Sequence, residues 1–248
     1  MAELLFRDDA YLRECTALVT RIDATSVELS RTVFYPAGGG QAGDSGTLAL
    51  PDGRTLRVLD TRKGQSADTV VHLLDPSAML DVPIAPGMSV TATLDWPRRH
   101  RLMRLHTCMH LLCAAVPAPV TGGSITPERA HLDFDIEMEK LRKEAIETQL
   151  NTLIAAGHAV EPRWISDEEL SARPELVRTM SVKPPMGTGR VRLLEIAAVD
   201  LQPCGGTHVR NTAEIGPVQV IRIRSEGKRN KRVAVALADD NASDGVIP

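Results

Sequence analysis

The chain has 248 residues, of which 43% are hydrophobic and 25% are charged, with a formal net charge of -3 at pH 7 and a pI near 6.2. This length and apolar content are sufficient for one large domain or two smaller ones. The slightly acidic balance argues against a protein that coats nucleic acid without selectivity, although it leaves room for local basic patches.

Cysteine usage and the lack of long apolar runs restrict the compartment. The four cysteines, Cys15, Cys108, Cys113 and Cys204, are too few and too irregularly spaced for a disulfide framework, so we expect thiols or metal ligands. The start of the chain lacks the basic residues and apolar core of a signal peptide, and no segment approaches the ~18 apolar residues of a membrane span. We therefore expect a cytoplasmic protein with no membrane association.

Short strand-like segments fill the first part of the chain. They are rich in β-branched and aliphatic residues and are separated by clusters of Pro, Gly and Asp. The predicted strands cover residues 17–22, 26–29, 46–49, 56–61, 69–74 and 89–94. This pattern predicts a small β-barrel.

The composition changes at Asp95, where Asp95-Trp-Pro97 supplies an N-cap and a first-turn proline before helical periodicity continues to Pro117. Beyond it the pattern predicts an α+β region. The predicted elements there are a helix over residues 137–156, ending at Gly157, and strands over 131–135, 159–165, 191–199, 218–224 and 233–238. We therefore expect an α+β protein with a barrel domain over 1–95, a second domain over 96–238 and a flexible tail over 239–248.

Two pairs of metal-binding residues lie far apart in the sequence. In His106-Thr-Cys-Met-His110 the histidines are four positions apart, so a helix places both imidazoles on one face. Cys204 and His208 have the same spacing in Pro203-Cys-Gly-Gly-Thr-His208, on a glycine-containing loop or helix start. One thiolate and three imidazoles form a ligand set that tetrahedral zinc prefers, so the two pairs together predict a zinc site.

Two questions about the ligands stay open. Cys113 follows His110 by three residues and could reach the same metal, but its apolar neighbours favour core packing, and Cys15 and Cys108 are expected to be structural thiols. If all four residues of the two pairs bind, the coordination shell is closed, which is typical of a structural zinc unless one ligand leaves or the shell expands. For that reason His208 is the weakest of the four assignments.

Five segments carry a resemblance to a known family. The two metal pairs look like the paired zinc motifs shared by the editing domains of alanyl- and threonyl-tRNA synthetases. The glycine-rich segment over residues 32–46, together with residues 95–99 and 225–232, resembles the alanine branch, in particular the medium-length class of AlaX-type alanyl-tRNA editing proteins. Cys108 and Met109 depart from the Ala and Gln that the family pattern leads us to expect, which bears on pocket shape more than on metal binding.

The resemblance implies a fold, an activity and a partner. The implied fold is a barrel-like N-terminal domain followed by an α+β editing domain of the threonyl/alanyl-tRNA synthetase type, with no aminoacylation core. The implied activity is zinc-dependent removal of serine, and of glycine, from mischarged tRNA(Ala). Two alternatives remain: a non-catalytic tRNA-binding protein with a structural zinc, and a hydrolase for another mischarged tRNA such as seryl-tRNA(Thr).

The resemblance also implies pocket residues. Thr32 stands where a threonine is expected to sense the serine hydroxyl, which is needed because an apolar pocket alone separates substrates that differ by a hydroxyl by only about 100-fold. Gln41 stands where a polar residue lines the pocket, and Gly38, Gly39 and Gly40 belong to the loop that forms its wall. The structural alternatives are an ordinary strand threonine and a plain hairpin loop.

Two other features are interpreted as structural. Gly38, Gly40 and Gly43 satisfy the GxGxxG pattern of a dinucleotide-binding turn, but no helix is predicted after Gly43, so this interpretation is rejected. His72 lies in the strand predicted over residues 69–74, and we expect a hydrogen-bonded strand histidine rather than a ligand.

Two groups of cations are candidate phosphate contacts. Arg98 and Arg99 lie at the start of the predicted helix, where the helix dipole disfavours cations unless phosphates meet them. Lys228, Arg229 and Arg232 lie at the turn between the last two predicted strands, where an ordinary solvated hairpin tip is the alternative. The resemblance implies the acceptor stem of alanine tRNA as their partner.

Overall fold

The computed structural model describes residues 2–66, 68–79, 84–177 and 189–238. Contacts between Cα atoms divide the chain into two compact units, Met1–Arg101 and Leu102–Pro248. The first unit contains a closed β-barrel, and the second combines helices with antiparallel sheets. The predicted α+β class with an N-terminal barrel is therefore confirmed.

The strands and helices are numbered in chain order. The strands are β1 (Glu3–Leu4), β2 (Glu14–Asp23), β3 (Ser26–Leu29), β4 (Arg31–Thr32), β5 (Gly46–Ala49), β6 (Thr55–Lys63), β7 (Val70–Leu74), β8 (Ser89–Leu94), β9 (Val120–Ile125), β10 (Ala130–Asp135), β11 (Val160–Ser166), β12 (Arg190–Ile196), β13 (Asp200–Pro203), β14 (Val218–Ser225) and β15 (Asn230–Leu237). The α-helices are α1 (Pro76–Met79), α2 (Trp96–Ala115), α3 (Lys143–Ala155) and α4 (Asp167–Ser171). Short 3-10 helices cover Leu5–Arg7, Met138–Lys140, Pro174–Leu176 and Thr212–Ile215.

Six antiparallel strands close the barrel of the first unit in the order β2-β3-β7-β6-β5-β8. Because successive side chains of a strand point to opposite faces, every second residue enters the core. In β6, Leu56 and Val58 are fully buried, whereas Thr55 and Arg57 are exposed. Aliphatic side chains fill most of this core, as the low aromatic content requires.

A short parallel pair, β1 with β4, lies outside the barrel order and was not predicted from the sequence. Two residues are too few to produce a recognisable alternation of apolar and polar residues. The pair matters because it fixes Thr32, which is the partner of Leu4 in the register. Leu4 itself packs in a small cluster with Phe6, Tyr35 and Val70.

Helix α2 begins as the sequence predicts. The Asp95 carboxylate accepts a hydrogen bond from the backbone N–H of Arg98 at 3.2 Å, and Pro97 occupies the first turn. The division between the two units falls after Arg101, inside the helix, and not at the predicted boundary after residue 95. The first turn groups with the barrel because Arg98 and Arg99 bond to residues of the first unit.

The larger sheet of the second unit is antiparallel and has the order β14-β15-β10-β9. Helix α3 is fastened to it by polar side chains. Glu147 accepts a hydrogen bond from the backbone N–H of Val220 at 2.8 Å, and Asn151 both donates to and accepts from the backbone of Val218 at 2.9 Å. Val220 lies at a register shift of β14, where sheet pairing is locally irregular and an amide can turn to the helix.

The smaller sheet has the order β11-β12-β13 and is also antiparallel. The sequence predicts one strand over residues 191–199, but the structure ends β12 at Ile196 and turns back through Ala198, which has a φ of 61°. Strand β13 follows directly and leads to Cys204, whose backbone N–H still pairs with Arg192 O at 3.1 Å. The prediction of a single strand was wrong because the tight turn contains no Gly or Pro.

Two further boundaries differ from prediction. The helix predicted over residues 137–156 is a 3-10 turn followed by α3 from Lys143, because Leu141 and Arg142 adopt extended backbone conformations. Strand β9 was not predicted because its Gly122-Gly123 pair is typical of a turn. In the structure a Cβ on Gly123 would lie 2.7 Å from Leu132 Cδ2, so the glycine permits close approach of two strands.

The tail predicted over residues 239–248 lies outside the described residues. Among the helices that the structure describes, none combines the length and the apolar character that crossing a membrane requires.

Gly46 allows β5 and β8 to approach closely, since a Cβ there would lie 2.2 Å from Thr93 O and 2.9 Å from Phe34 Cζ. We predict that Gly46→Ala lowers the free energy of unfolding by about 1–3 kcal/mol, because β8 must shift to make room. Urea unfolding followed by circular dichroism measures this. Gly227→Ala is the control, since its Cβ would meet only Asn230 Cβ, at 3.8 Å, and equal losses in the two variants would contradict the steric argument.

Candidate metal centre

Helix α2 presents two imidazoles on one face. His106 and His110 are one turn apart, their ring centroids are 5.6 Å apart, and both side chains are buried. The turn spacing is fixed by the backbone hydrogen bonds of the helix, so the pair is held together whether or not a metal is bound.

The loop that follows β13 brings the second pair to the same place. Cys204 Sγ lies 3.5 Å from His106 Nε2 and 3.2 Å from His208 Nε2. The candidate ligand atoms of His106, His110, Cys204 and His208 all lie within 4.8 Å of one another. The structure therefore brings together all four residues that the sequence predicts as ligands.

The spacing of these atoms fits a tetrahedral metal. With bonds of about 2.3 Å to sulfur and about 2.0–2.1 Å to nitrogen, a tetrahedral centre places its sulfur and nitrogen ligands about 3.6 Å apart. The two sulfur–nitrogen separations in the structure, 3.5 and 3.2 Å, are close to this value. The group can hold a metal ion, and Cys113 is buried but is not one of its members.

Electrostatics favour the ligand form of the thiol. Burial raises the pKa of Cys204, but the adjacent His106 and His208 outweigh it and hold that pKa well below its usual value. Burial lowers the pKa of His110, but hydrogen bonds with Asp200 and Cys204 outweigh it and raise the value to about 9. The thiolate, and not the thiol, is the form of cysteine that binds metals.

Two histidines have partners on the ring nitrogen that faces away from the thiol. His110 Nδ1 lies 3.0 Å from an Asp200 carboxylate oxygen. His208 Nδ1 lies 3.3 Å from Thr107 Oγ1, and because that hydroxyl donates to Met103 O at 2.9 Å, it accepts from the imidazole. Sequence reasoning missed Thr107 and Asp200, although Thr107 lies inside the His106–His110 motif.

The glycine-rich segment over residues 32–46 belongs to the first unit, and its loop is the turn from Gly38 to Gln41. Thr32, at the start of the segment, has no exposed surface. The Thr32 hydroxyl is 2.8 Å from His72 Nε2 and accepts a hydrogen bond from the Phe34 N–H at 3.0 Å. His72 Nδ1 is 3.2 Å from Val27 O, which can only accept, so Nε2 is unprotonated and the Thr32 hydroxyl donates to it. His72 thus has the satisfied strand environment that we expected.

The loop itself is closed by its backbone. Gly38 and Gln41 exchange two backbone hydrogen bonds of 3.0 Å, and the Tyr35 hydroxyl donates to Gly38 O at 2.7 Å. Gly39 and Gly40, between them, have positive φ angles of 58° and 83°, which favour glycine. The Gln41 side chain is buried, with 2% of its surface exposed.

The helix-start arginines hold this loop. Arg98 donates to Gly43 O at 2.6 Å. Arg99 is fully buried and forms an ion pair with Asp44, while also donating to Ala10 O at 3.0 Å and to Val33 O at 2.7 Å. These contacts place Arg99 in the interior, which departs from the expectation of a phosphate contact, because the sequence could not show the buried Asp44.

The hairpin between β14 and β15 carries the other predicted cations. Lys228 and Arg229 are exposed, and Arg229 pairs with Asp135 at 2.7 Å. Arg232 makes two hydrogen bonds, of 2.7 and 2.8 Å, with Asp133. Lys231 is buried and donates to the backbone of the turn, including Lys228 O at 2.9 Å, so it braces the tip from beneath.

Comparison with known proteins supplies relatives for this arrangement. Residues 191–234, which include Cys204 and His208, match the family described as the threonyl and alanyl tRNA synthetase second additional domain. The chain is 35% identical over 237 residues to the alanyl-tRNA editing protein AlaX-M of Saccharolobus solfataricus, covering 94% of this chain and 98% of that protein. It is 34% identical over 246 residues to AlaX-M of Methanosarcina barkeri, an alignment that covers 96% of this chain and 100% of that protein.

A longer relative shares the same region. The chain is 35% identical over 229 residues to the alanine–tRNA ligase of Metallosphaera sedula, an alignment that covers 89% of this chain and 24% of the ligase. The similarity therefore extends over nearly the whole of the free-standing relatives and about a quarter of the ligase.

His72 makes the stability of the barrel sensitive to acid. Burial lowers the pKa of its imidazole to about 4, from an ordinary value of 6.5, although the Val27 hydrogen bond opposes this. Because the unfolded chain binds the proton more readily, stability present above pH 6.5 is lost as the pH falls towards 4. We predict a smaller loss for His72→Gln than for wild type between pH 7 and about pH 4.5 in urea unfolding; parallel losses would contradict the assignment.

Proposed function

This chain belongs to the AlaX-type family of alanyl-tRNA editing proteins, and on that premise we propose that it hydrolyses the ester bond between tRNA(Ala) and a wrongly attached serine or glycine. The observation that carries the proposal is the group of one partly buried thiol and three buried imidazoles in a chain that covers 98% of an editing relative. Such an ester already reacts slowly with water, so modest activation is sufficient.

Zinc is the metal that we propose for this group, because one thiolate and three imidazoles suit its preference for nitrogen and sulfur ligands. When bound, zinc can polarise the ester carbonyl or lower the pKa of a water molecule. Cys204 supplies the negative charge of the ligand set, and its lowered pKa keeps the thiolate available. His106 and His110 supply two imidazoles from the rigid helix α2.

His208 is the ligand that we propose to exchange when the substrate binds. Four protein ligands leave no open position on a tetrahedral metal, so catalysis requires either one ligand to leave or the shell to expand. His208 lies on a loop, and its outer ring nitrogen contacts a neutral hydroxyl at 3.3 Å, whereas His110 lies on a helix and contacts a carboxylate at 3.0 Å. A hydrogen bond to a neutral hydroxyl is weaker than one to a carboxylate, so His208 is held less firmly than His110.

We propose that the glycine-rich loop contributes to amino-acid selection, with Thr32, Gln41 and Gly38 to Gly40 as its determining residues. Its support is the family resemblance of the segment together with its hydrogen bonding. Thr32 fixes the backbone at Phe34, and Gln41 closes the turn with Gly38. The burial of Thr32 favours a role in shaping the loop over a surface contact.

For tRNA binding we propose Lys228 and Arg229, which are exposed at a hairpin tip, with Arg98 and Arg232 as partly buried contributors. Phosphate contacts of this kind position an RNA without reading its sequence. The proposed partner is the acceptor end of tRNA(Ala), and Arg99 would act only by holding the loop.

The closed set of four candidate ligands favours a second candidate function. A metal with no open position would be structural, and the chain would then bind tRNA without hydrolysing it. An editing hydrolase for another mischarged tRNA is the third candidate, since the matched domain is described for both threonyl and alanyl synthetases.

Deacylation of a substrate panel tests the proposal. We expect the zinc-loaded protein to release serine and glycine from tRNA(Ala), to spare alanyl-tRNA(Ala), and to act weakly on seryl-tRNA(Thr), as followed by release of radiolabelled amino acid. Cys204→Ala should abolish both zinc binding and release because the thiolate is lost, while the matched thiol variant Cys15→Ala should retain both.

The panel separates the three candidates. Zinc binding without release above the buffer rate would contradict the hydrolase and favour the tRNA-binding protein. Faster release from seryl-tRNA(Thr) than from seryl-tRNA(Ala) would show that the tRNA partner is wrong.

A further inference from the structure

Strand β13 and the residue that follows it place three side chains, those of Asp200, Gln202 and Cys204, beside the candidate metal ligands. Residues two apart on a strand point to the same side. Asp200 and Gln202 are buried, whereas Leu201 and Pro203, between and beyond them, are partly exposed. The pairing of the Cys204 N–H with Arg192 O extends the same geometry, so Asp200, Gln202 and Cys204 follow one face.

The first of these residues contacts the imidazole of His110. An Asp200 carboxylate oxygen lies 3.0 Å from His110 Nδ1, and the Asp200 side chain has no exposed surface. Gln202 Nε2 donates to the same oxygen at 2.7 Å and also lies 3.0 Å from His110 Nδ1. The amide therefore holds the carboxylate in the position from which it meets the ring.

This contact selects one tautomer of His110. A carboxylate accepts hydrogen bonds, so the Nδ1 atom carries the proton and donates it to Asp200. Nε2 is then the ring nitrogen that binds a metal, and any proton that it carries is released on binding. The ring cannot rotate without breaking a buried, charge-assisted hydrogen bond.

We propose that Asp200, braced by Gln202, is the positioning residue of the metal centre: it fixes the orientation and tautomer of His110 and makes its Nε2 a stronger ligand. The inference rests on the proposed function only in that His110 binds zinc. Partners on the outer ring nitrogen of histidine ligands typically change metal affinity by about 10–100-fold when they are removed.

A purely structural role makes a different prediction. If Asp200 served only to satisfy a buried imidazole, its replacement would change the stability of the metal-free protein and leave the metal affinity as it is. The deciding measurement is therefore zinc affinity, obtained by competition with a chelator and without tRNA. The unfolding midpoint of the metal-free protein is measured in parallel, for the same variants.

The variant is Asp200→Asn, which keeps the size of the side chain and removes its charge. We expect its zinc dissociation constant to rise by about 10–100-fold. Asp133→Asn is the matched control, because Asp133 is also a buried carboxylate of the second unit but is bound by Arg232. Its zinc affinity should stay within about threefold of wild type. The visible absorption of the Co2+-loaded protein should change in Asp200→Asn alone.

The outcomes separate this inference from the proposed function. Zinc affinity of Asp200→Asn within about threefold of wild type would overturn the inference, and equal losses in Asp133→Asn would overturn it as well. If Asp200→Asn does not fold, Gln202→Leu decides: weaker zinc binding supports the positioning of His110 by the Asp200–Gln202 pair, and unchanged binding overturns it. If the wild-type protein does not deacylate tRNA but Asp200→Asn still weakens zinc binding, only the proposed hydrolase activity is refuted.

Discussion

The metal centre depends on the meeting of two locally rigid pairs. The helical backbone of α2 keeps His106 and His110 one turn apart, and the end of β13 delivers Cys204 between them and His208. Three imidazoles and a thiolate in a buried space are costly without a cation, since each must lose hydration. A divalent metal bound to the four side chains would offset that cost.

The first unit contains a buried ion pair, Arg99 with Asp44, which holds the glycine-rich segment. Arg99 reaches from the start of α2 to Asp44 at the end of the glycine-rich loop, and Arg98 bonds to Gly43 beside it. Removing one partner of such a buried pair typically costs about 3–5 kcal/mol, because the other charge is left uncompensated. The loop that we propose to contribute to amino-acid selection is thereby bonded to buried side chains of the barrel unit.

Local patterns were sufficient to predict the barrel strands, the start of α2 and the four candidate metal ligands, because period-2 alternation, an N-cap and fixed ligand spacings can be read from residues close in sequence. Local patterns were insufficient where a contact with a residue distant in sequence determines the structure. The glycine-containing strand β9 and the burial of Arg99 both depend on partners distant in sequence. Asp200, Gln202 and Cys204 are two residues apart, so on a strand their side chains lie on one face. This spacing points to a shared site only when β13 is known to be a strand.

The composition of the metal's coordination shell tests the central claim most directly. X-ray absorption at the zinc edge of the purified, zinc-loaded protein should show one sulfur at about 2.3 Å and nitrogen ligands at about 2.0–2.1 Å. A shell of oxygen ligands without sulfur would contradict the account, because it would mean that α2 and the loop after β13 do not converge on a shared ion.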